Sequence, residues 1–336
     1  MTRPRKLLSA PAGATGRAIA AEQLKRWLAA ERKLAGRQGP TSLHDFRVAL
    51  RRLRSTVRAF RPFLQHPKGL RRRLRRLAQS TNESRNLEVW RDWVATQARD
   101  LTRKQKAGVA WLRARLAAEQ RLASAQVREL VARWLPRLRS ELRQVTNRGP
   151  QHQHRLRRQR AARVVARVIR AELQVLVTQL DKVKSIKDRE PAHAARIAAK
   201  RVRYLLEPFR GELLGSGTAL RLLERLQDIL GEVHDAHVFA DSLRETLAEA
   251  TKQRSLATTR QLLPWPSENE APRHRPAPPG SRTGLLMLAR RLRRDGEKRF
   301  ARLQTEWLRG GGTEQLNVAV RRCASAAAKL NRGGRI

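Results

Sequence analysis

Cysteine, aromatic residues, acidic residues and long apolar runs are all scarce in this chain. A single cysteine, Cys323, among 336 residues excludes a disulfide framework and a cysteine-based metal knuckle; it reads as a small buried filler. Aromatic residues make up only 4%, too few for a β-sandwich rich in aromatic and β-branched residues. No run approaches a membrane span, and the N-terminus "MTRPRKLLSAPAGATGRAIA" lacks the apolar core of a signal peptide, so a cytoplasmic protein with no membrane partner is expected. The sharpest shortage is of negative charge. Only 29 Asp plus Glu stand against 74 Lys plus Arg, a net charge of +45. Such an excess repels itself in the compact state and gathers polyanions, and it exceeds what solubility requires. Nucleic acid, anionic lipid or a phosphate polymer is the expected partner.

What is present is helical periodicity. Apolar residues recur at three- and four-residue spacing over Arg17 to Leu34, Leu43 to Leu64, Lys68 to Gln79 and Leu87 to Leu101. A long pattern from Lys104 to Val145 reads as a helical hairpin, and another helix is expected over Arg155 to Val183. Helices resume at Leu285 to Leu308 and Glu314 to Leu330. Between them, Leu263 to Gly284 is dense in proline and polar residues and reads as an exposed, disordered loop. Nothing reads as a sheet, so the expected class is all-α.

The chain also repeats itself. An offset of 149 residues places His44 on His193, Arg47 on Arg196, Arg51 on Lys200, Arg52 on Arg201, Arg54 on Arg203 and Phe60 on Phe209. The same offset, without a gap, places Arg72 on Arg221, Arg76 on Arg225, Leu77 on Leu226, Arg85 on His234 and Val89 on Val238. Two homologous helical bundles related by a pseudo-twofold axis follow. The expected boundaries are a flexible N-terminus over 1–16, a first repeat over 17–147 and a second over 155–331.

On a helix, Arg47, Arg51, Arg54 and Arg58 fall with His44 on one stripe about 80° wide, beside an apolar face of Phe46, Leu50, Leu53, Val57 and Phe60. The second copy sets His193, Arg196, Lys200 and Arg203 beside Ala195, Ala199, Val202, Leu206 and Phe209. Arg52 and Arg201 flank their stripes. A solvated face normally mixes signs, because like charges at this spacing destabilise a helix. The first stripe has no acid at all, and it lies close to the apolar face, where unpaired charge is costly. A counter-anion from outside is therefore expected. The stripe is roughly 21 Å long, suited to an elongated anion contacted by bidentate Arg. Positions basic in both repeats, including Arg72 and Arg76 with Arg221 and Arg225, are the strongest candidates.

The segments "LHDFRVALRRLRSTVRAF", "AHAARIAAKRVRYLLEPF" and "LQDILGEVHDAHVFADSL", with "SRNLEVW" as a weaker first-copy counterpart of the last, resemble the CHAD family, the conserved histidine α-helical domains. The resemblance implies two pseudo-symmetric helical bundles around a basic central channel that binds inorganic polyphosphate, and an association with polyphosphate granules and their proteins. The residues it carries over are His44, Arg47, Arg51, Arg52 and Arg54, then His193, Arg196, Lys200, Arg201 and Arg203. Two departures stand out. Asn86 takes the place of an acid that the second copy has as Asp235, and Glu207 sits on the second stripe where the first has Arg58.

Catalysis is not expected. The ExExK pattern of the triphosphate-hydrolysing CYTH domains that often accompany this family is absent, as is a P-loop. His234, Asp235, His237 and Asp241 have a spacing that could hold a metal, but an HxxH on a helix more often reflects packing, and no metal or cofactor is expected. His152 and His154 belong to a polar turn and His274 to the Pro-rich loop. The reading is a non-catalytic polyphosphate-binding protein, a scaffold or recruiter at granules. The alternative is a basic nucleic-acid-binding protein, since a chain of this charge binds nucleic acid non-specifically at low salt.

Overall fold

In a computed structural model, residues 6–36, 41–99, 101–147, 159–262, 277–278 and 280–332 are described. Ten α-helices lie within them: α1 (Ala12–Ala35), α2 (Ser42–Ala59), α3 (Leu70–Ser80), α4 (Asn82–Thr96), α5 (Arg103–Asn147), α6 (Ala161–Asp181), α7 (Arg189–Leu206), α8 (Ser216–Leu262), α9 (Ser281–Leu303) and α10 (Gly312–Arg332). Short 3-10 turns, Arg61–Phe63 and Glu207–Phe209, follow α2 and α7. Each carries a proline at its start, which ends the α-helical ladder there. No strand occurs among the described residues, and the protein is all-α.

The chain divides into two compact units, and each draws on both sequence repeats. The first comprises residues 1–81, 128–231 and 301–336; the second comprises 82–127 and 232–300. In the first unit α1 packs along α2, α6 along α7 and α10 along α6, and α2 meets α7. The apolar faces read from the sequence are those that face inward. Phe46, Leu50 and Leu53 are 0% exposed, as are Ala195, Ala199, Val202, Leu206 and Phe209. Trp27 of α1 packs on Phe46 with ring centroids 5.7 Å apart. Gly16 lets α1 come close to α2, since a Cβ there would stand 2.8 Å from the Phe60 Cβ. Gly69, at φ +81°, supplies the left-handed residue from which α3 starts.

The second unit has its own core. Leu87, Trp90, Trp93, Leu112 and Leu116 pack with Phe239, Leu243, Leu285, Leu288 and Leu292. Trp90 stacks on Phe239 at 6.2 Å, and the Trp93 indole donates to Asp295 at 3.2 Å. Three of these residues, Trp90, Trp93 and Phe239, are aromatic, and a buried aromatic side chain contributes a large apolar area.

Three expectations change. The segment 104–145 is no hairpin: α5 runs unbroken for 45 residues. Pro136 removes only one donor from that ladder, and Leu135 and Leu138 beside it stay buried. Within the stretch 1–16 expected to be flexible, the described residues from Lys6 onward are held by hydrogen bonds. Leu7 and Leu8 each donate a backbone N–H to the Glu212 carboxylate at 2.9 Å, Leu8 is fully buried, and Ala161 and Ala162 donate to the Ala10 and Leu8 carbonyls. The helix after the Pro-rich interval starts earlier than read: α8 ends at Leu262, as expected, but α9 begins at Ser281 rather than Leu285, and the Ser281 hydroxyl donates to the Pro278 carbonyl. Residues 263–276 and 279 of that interval, with His274, and residues 151–158, with His152 and His154, lie outside the described residues.

Replacing Glu212 with Ala should release the N-terminal segment. Two backbone donors lose a charged acceptor, for an expected destabilisation of about 1–3 kcal/mol in urea denaturation. Hydrogen exchange at the Leu7 and Leu8 amides should accelerate with it.

Candidate functional site

All the stripe residues lie in the first unit, on α2, α3, α7 and the start of α8. Both basic helices start from local chemistry as well as tertiary packing. Asp45 and Glu190 stand in the first turns of α2 and α7, where an acid complements the helix dipole. Asp188 draws in the turn ahead of α7 by accepting from the Lys184 and Ser185 N–H groups at 2.8 and 2.7 Å; those hydrogen bonds hold its carboxyl below the usual range.

The packing of α2 against α7 places cations of one helix beside acids on others. Arg52 of α2 donates to both Glu207 oxygens, at 2.7 and 3.2 Å, and its guanidinium lies over the Tyr204 ring at 5.8 Å. The bond to Glu207 raises the Arg52 pKa against the cost of burial. Arg203 also donates to Glu207, at 3.1 Å, and to Glu224, at 2.8 Å. Across the same packing, Glu172 of α6 accepts from Arg58 at 2.5 Å and from Arg201 at 3.3 Å. Glu172 is a buried residue, so its charge is tied to these two guanidiniums. Part of the counter-charge expected from outside is therefore supplied from within. Arg47 is buried too, and donates to the Thr81 hydroxyl at 2.5 Å, which gives it a structural role in joining α2 to the end of α3.

Arg54 differs. No carboxylate or other hydrogen-bond partner meets it among the described residues, and burial, followed by the charges of Arg51, Arg75 and Arg201, lowers its pKa. Arg58 is lowered in the same way, by burial against the pull of Glu172, with Arg201 and Arg71 adding to the fall. Arg51, Arg54, Arg58, Arg71, Arg75 and Arg201 thus form one cluster in which Glu172 is the bound acid. The α3 charges that act on it are Arg71 and Arg75. Sequence reasoning selected Arg72 and Arg76, which are exposed as Arg71 and Arg75 are, because they alone on α3 are basic in both copies; the offset puts Arg71 on Leu220 and Arg75 on Glu224. Their helical position was the available signal: they flank the buried Leu70, Leu74 and Leu77.

On α7, His193, Arg196 and Lys200 act on one another. Desolvation, then Arg196 and Lys200, pushes the His193 imidazole below its ordinary range. His44 is exposed at the start of α2. On α8, Arg221 donates to the Thr218 hydroxyl at 3.1 Å and Arg225 to Glu306 at 3.3 Å, so Arg225 shares its acid with Arg302. A shallow cleft of about 330 Å³ along α5, lined by Pro136, Arg139, Ser140, Arg143, Gln144 and Asn147, takes none of the stripe residues. Among the described residues no group of three or more His, Cys, Asp or Glu is placed to hold a metal, and no helix is long and apolar enough to cross a membrane.

A family model described as the CHAD domain matches residues 18–244, the span that carries the duplicated His-led basic helix and the cationic cluster. The chain belongs to the CHAD family. Its fold is similar to the crystal structure of the CHAD domain from the plant Ricinus communis, at 18% identity and a TM-score of 0.59, covering 95% of this chain and 94% of that one. It is also similar to PptA from Streptomyces chartreusis, at 17% identity and a TM-score of 0.59, covering 89% of this chain and 100% of that one. At these identities the likeness is one of fold. Comparison with curated proteins returns no match.

In this CHAD domain Arg54 and Glu172 should respond oppositely to neutralisation. Arg54→Gln removes a desolvated cation among like charges, and the unfolding free energy in urea should hold or rise, by up to about 1 kcal/mol. Glu172→Gln leaves Arg58 and Arg201 without their carboxylate and should cost about 2 kcal/mol. A destabilised Arg54→Gln would mean that the arginine is already satisfied inside the protein.

Proposed function

We propose that this protein binds inorganic polyphosphate without transforming it, as a granule-associated scaffold or recruiter. The observation that carries the reading is Arg54: desolvated, without a carboxylate partner among the described residues, and acted on by Arg51, Arg75 and Arg201, with Arg58 one turn away on the same helix and Arg71 acting on Arg58. A cluster of that kind is stabilised by an anion of high charge density, and guanidiniums suit phosphate oxygens by their forked geometry. In this reading the two copies are related by a pseudo-twofold axis and their rows line a channel, as the family resemblance implies. The absence of chemistry follows from the groups involved: a guanidinium stays protonated and serves as neither base nor nucleophile.

The nucleic-acid alternative is weakened by one contact. Reading single strands calls for aromatic platforms on which bases stack, and Tyr204 is the aromatic nearest the second stripe. It is 9% exposed and covered by Arg52, so it offers no free face.

Competition separates the two. Long-chain polyphosphate should displace duplex DNA from the protein at near-physiological salt; displacement in the other direction would favour the alternative. Arg51→Glu with Lys200→Glu should abolish polyphosphate binding with helical circular dichroism intact. The same charge change at Arg273 and Arg275, outside the described residues, should leave binding nearly unchanged, and equal losses would point to a diffuse cation.

Binding should also take up a proton at His193. Its imidazole lies below the ordinary value of about 6.5 in the free protein, and a bound polyanion favours the charged form. The gain in affinity is complete below the free-state pKa and is lost as pH rises through the bound-state pKa. Affinity should therefore fall between about pH 5 and pH 8, and His193→Ala should flatten that fall in titrations at constant ionic strength.

A further inference from the structure

The 149-residue offset places Arg54 on Arg203, Arg58 on Glu207 and Arg75 on Glu224. Three positions that are all cationic in the first copy carry one cation and two acids in the second. The structure shows those two acids in use. Arg203 donates to Glu207 at 3.1 Å and to Glu224 at 2.8 Å, and Glu207 accepts from Arg52 as well. The corresponding Arg54 meets no carboxylate among the described residues. The first copy has no acid of its own there: Glu172 of α6, a second-copy residue, holds Arg58 and Arg201, and the offset aligns it with the uncharged Gln23 of α1. Glu172 therefore fixes the border of the cluster and leaves its centre unmatched. The two copies keep the same helices and the same leading histidine, and differ in whether the charge between α2 and α3, or between α7 and α8, is already closed.

We infer that anion binding is one-sided: the first copy carries a subsite for a short run of phosphates, centred on Arg54 with Arg51, Arg58, Arg71 and Arg75 around it and the Glu172-held Arg201 of the second copy at its border, while the corresponding Arg203–Glu207–Glu224 network of the second copy is self-neutralised and takes no phosphate. This rests on the polyphosphate reading and adds a location to it. The subsite fits an oligophosphate of about three groups, whose closely spaced charges meet several guanidiniums at once, so a long polymer is gripped at the first copy and only accompanied along His193, Arg196 and Lys200.

Isothermal titration calorimetry of the full chain with tripolyphosphate, at near-physiological salt, tests the inference. Arg54→Gln and Arg203→Gln remove one charge each from corresponding positions, and circular dichroism shows whether both remain folded. Arg54→Gln should weaken tripolyphosphate by about tenfold or more, and Arg203→Gln should change it by less than about twofold. Equal losses, or a larger loss at Arg203, would overturn the one-sided arrangement and leave polyphosphate binding standing. A wild-type chain that binds long polyphosphate but not tripolyphosphate would overturn the local subsite alone. Failure to bind either would overturn the functional reading together with it.

Discussion

The first unit depends on carboxylates that stand between guanidiniums brought together by helix packing. Two like charges 4 Å apart repel by about 4 kcal/mol at an effective dielectric near 20, so each junction of basic helices needs an acid inside it. Glu207 serves Arg52 and Arg203, Glu172 serves Arg58 and Arg201, and Glu141 serves Arg73 and Arg137. In every case one carboxylate turns a repulsive pair of arginines into two attractive contacts. With few acids in the chain, their placement decides which arginines become structural and which stay open.

The apolar faces make so cationic a surface tolerable. Burying one Leu or Phe side chain contributes about 1.5–3 kcal/mol, whereas a like-charge pair along a helix costs a few tenths. Phe46, Leu50, Leu53 and Val57 on α2, and Phe60 at its C-terminal cap, are all at most 1% exposed, so the face outweighs the row beside it. On α7 the face is built largely of Ala, which contributes less area but lets helices approach closely. The acids on and beside that helix, Glu190 and Glu207, accompany the thinner face.

Elements whose information is local were legible in the sequence. The helices, their buried faces and the duplicated basic stripes follow from three- and four-residue spacing, and the family from residues within a few turns of each other. The pairing of the stripes with internal acids was not, because it joins residues far apart: Arg58 and Glu172 are separated by 114 positions and Arg52 and Glu207 by 155. Asking for cations present in both copies weighted the residues of α3 differently from the electrostatics of the folded chain. It favoured Arg72 and Arg76 and passed over Arg71 and Arg75, whose counterparts are Leu220 and Glu224. The anchoring of Leu7 and Leu8 was hidden for a similar reason, since Glu212 lies 205 residues from Leu7. The length of α5 was obscured by Pro136, a residue that usually ends a helix and here only interrupts one bond.

Screening explains why the fixed cluster, and not the total charge, should govern what binds. At physiological salt the field of an exposed cation fades over about 8 Å, so most of the +45 charge speeds encounter without selecting a partner. Selection belongs to cations that touch the ligand and are poorly hydrated beforehand. Arg54 meets both conditions, because burial has removed much of its water and its neighbours Arg51, Arg75 and Arg201 repel it. A ligand phosphate there replaces lost hydration and relieves repulsion in the same contact. Nearby arginines pinned by Glu172 and Glu207 keep their geometry and need not be ordered on binding, which lowers the entropic cost of association. A compact dianion would satisfy only one such point. The row along α2 extends roughly 21 Å, more than two screening lengths, and a ligand must itself be extended and continuously charged to use it.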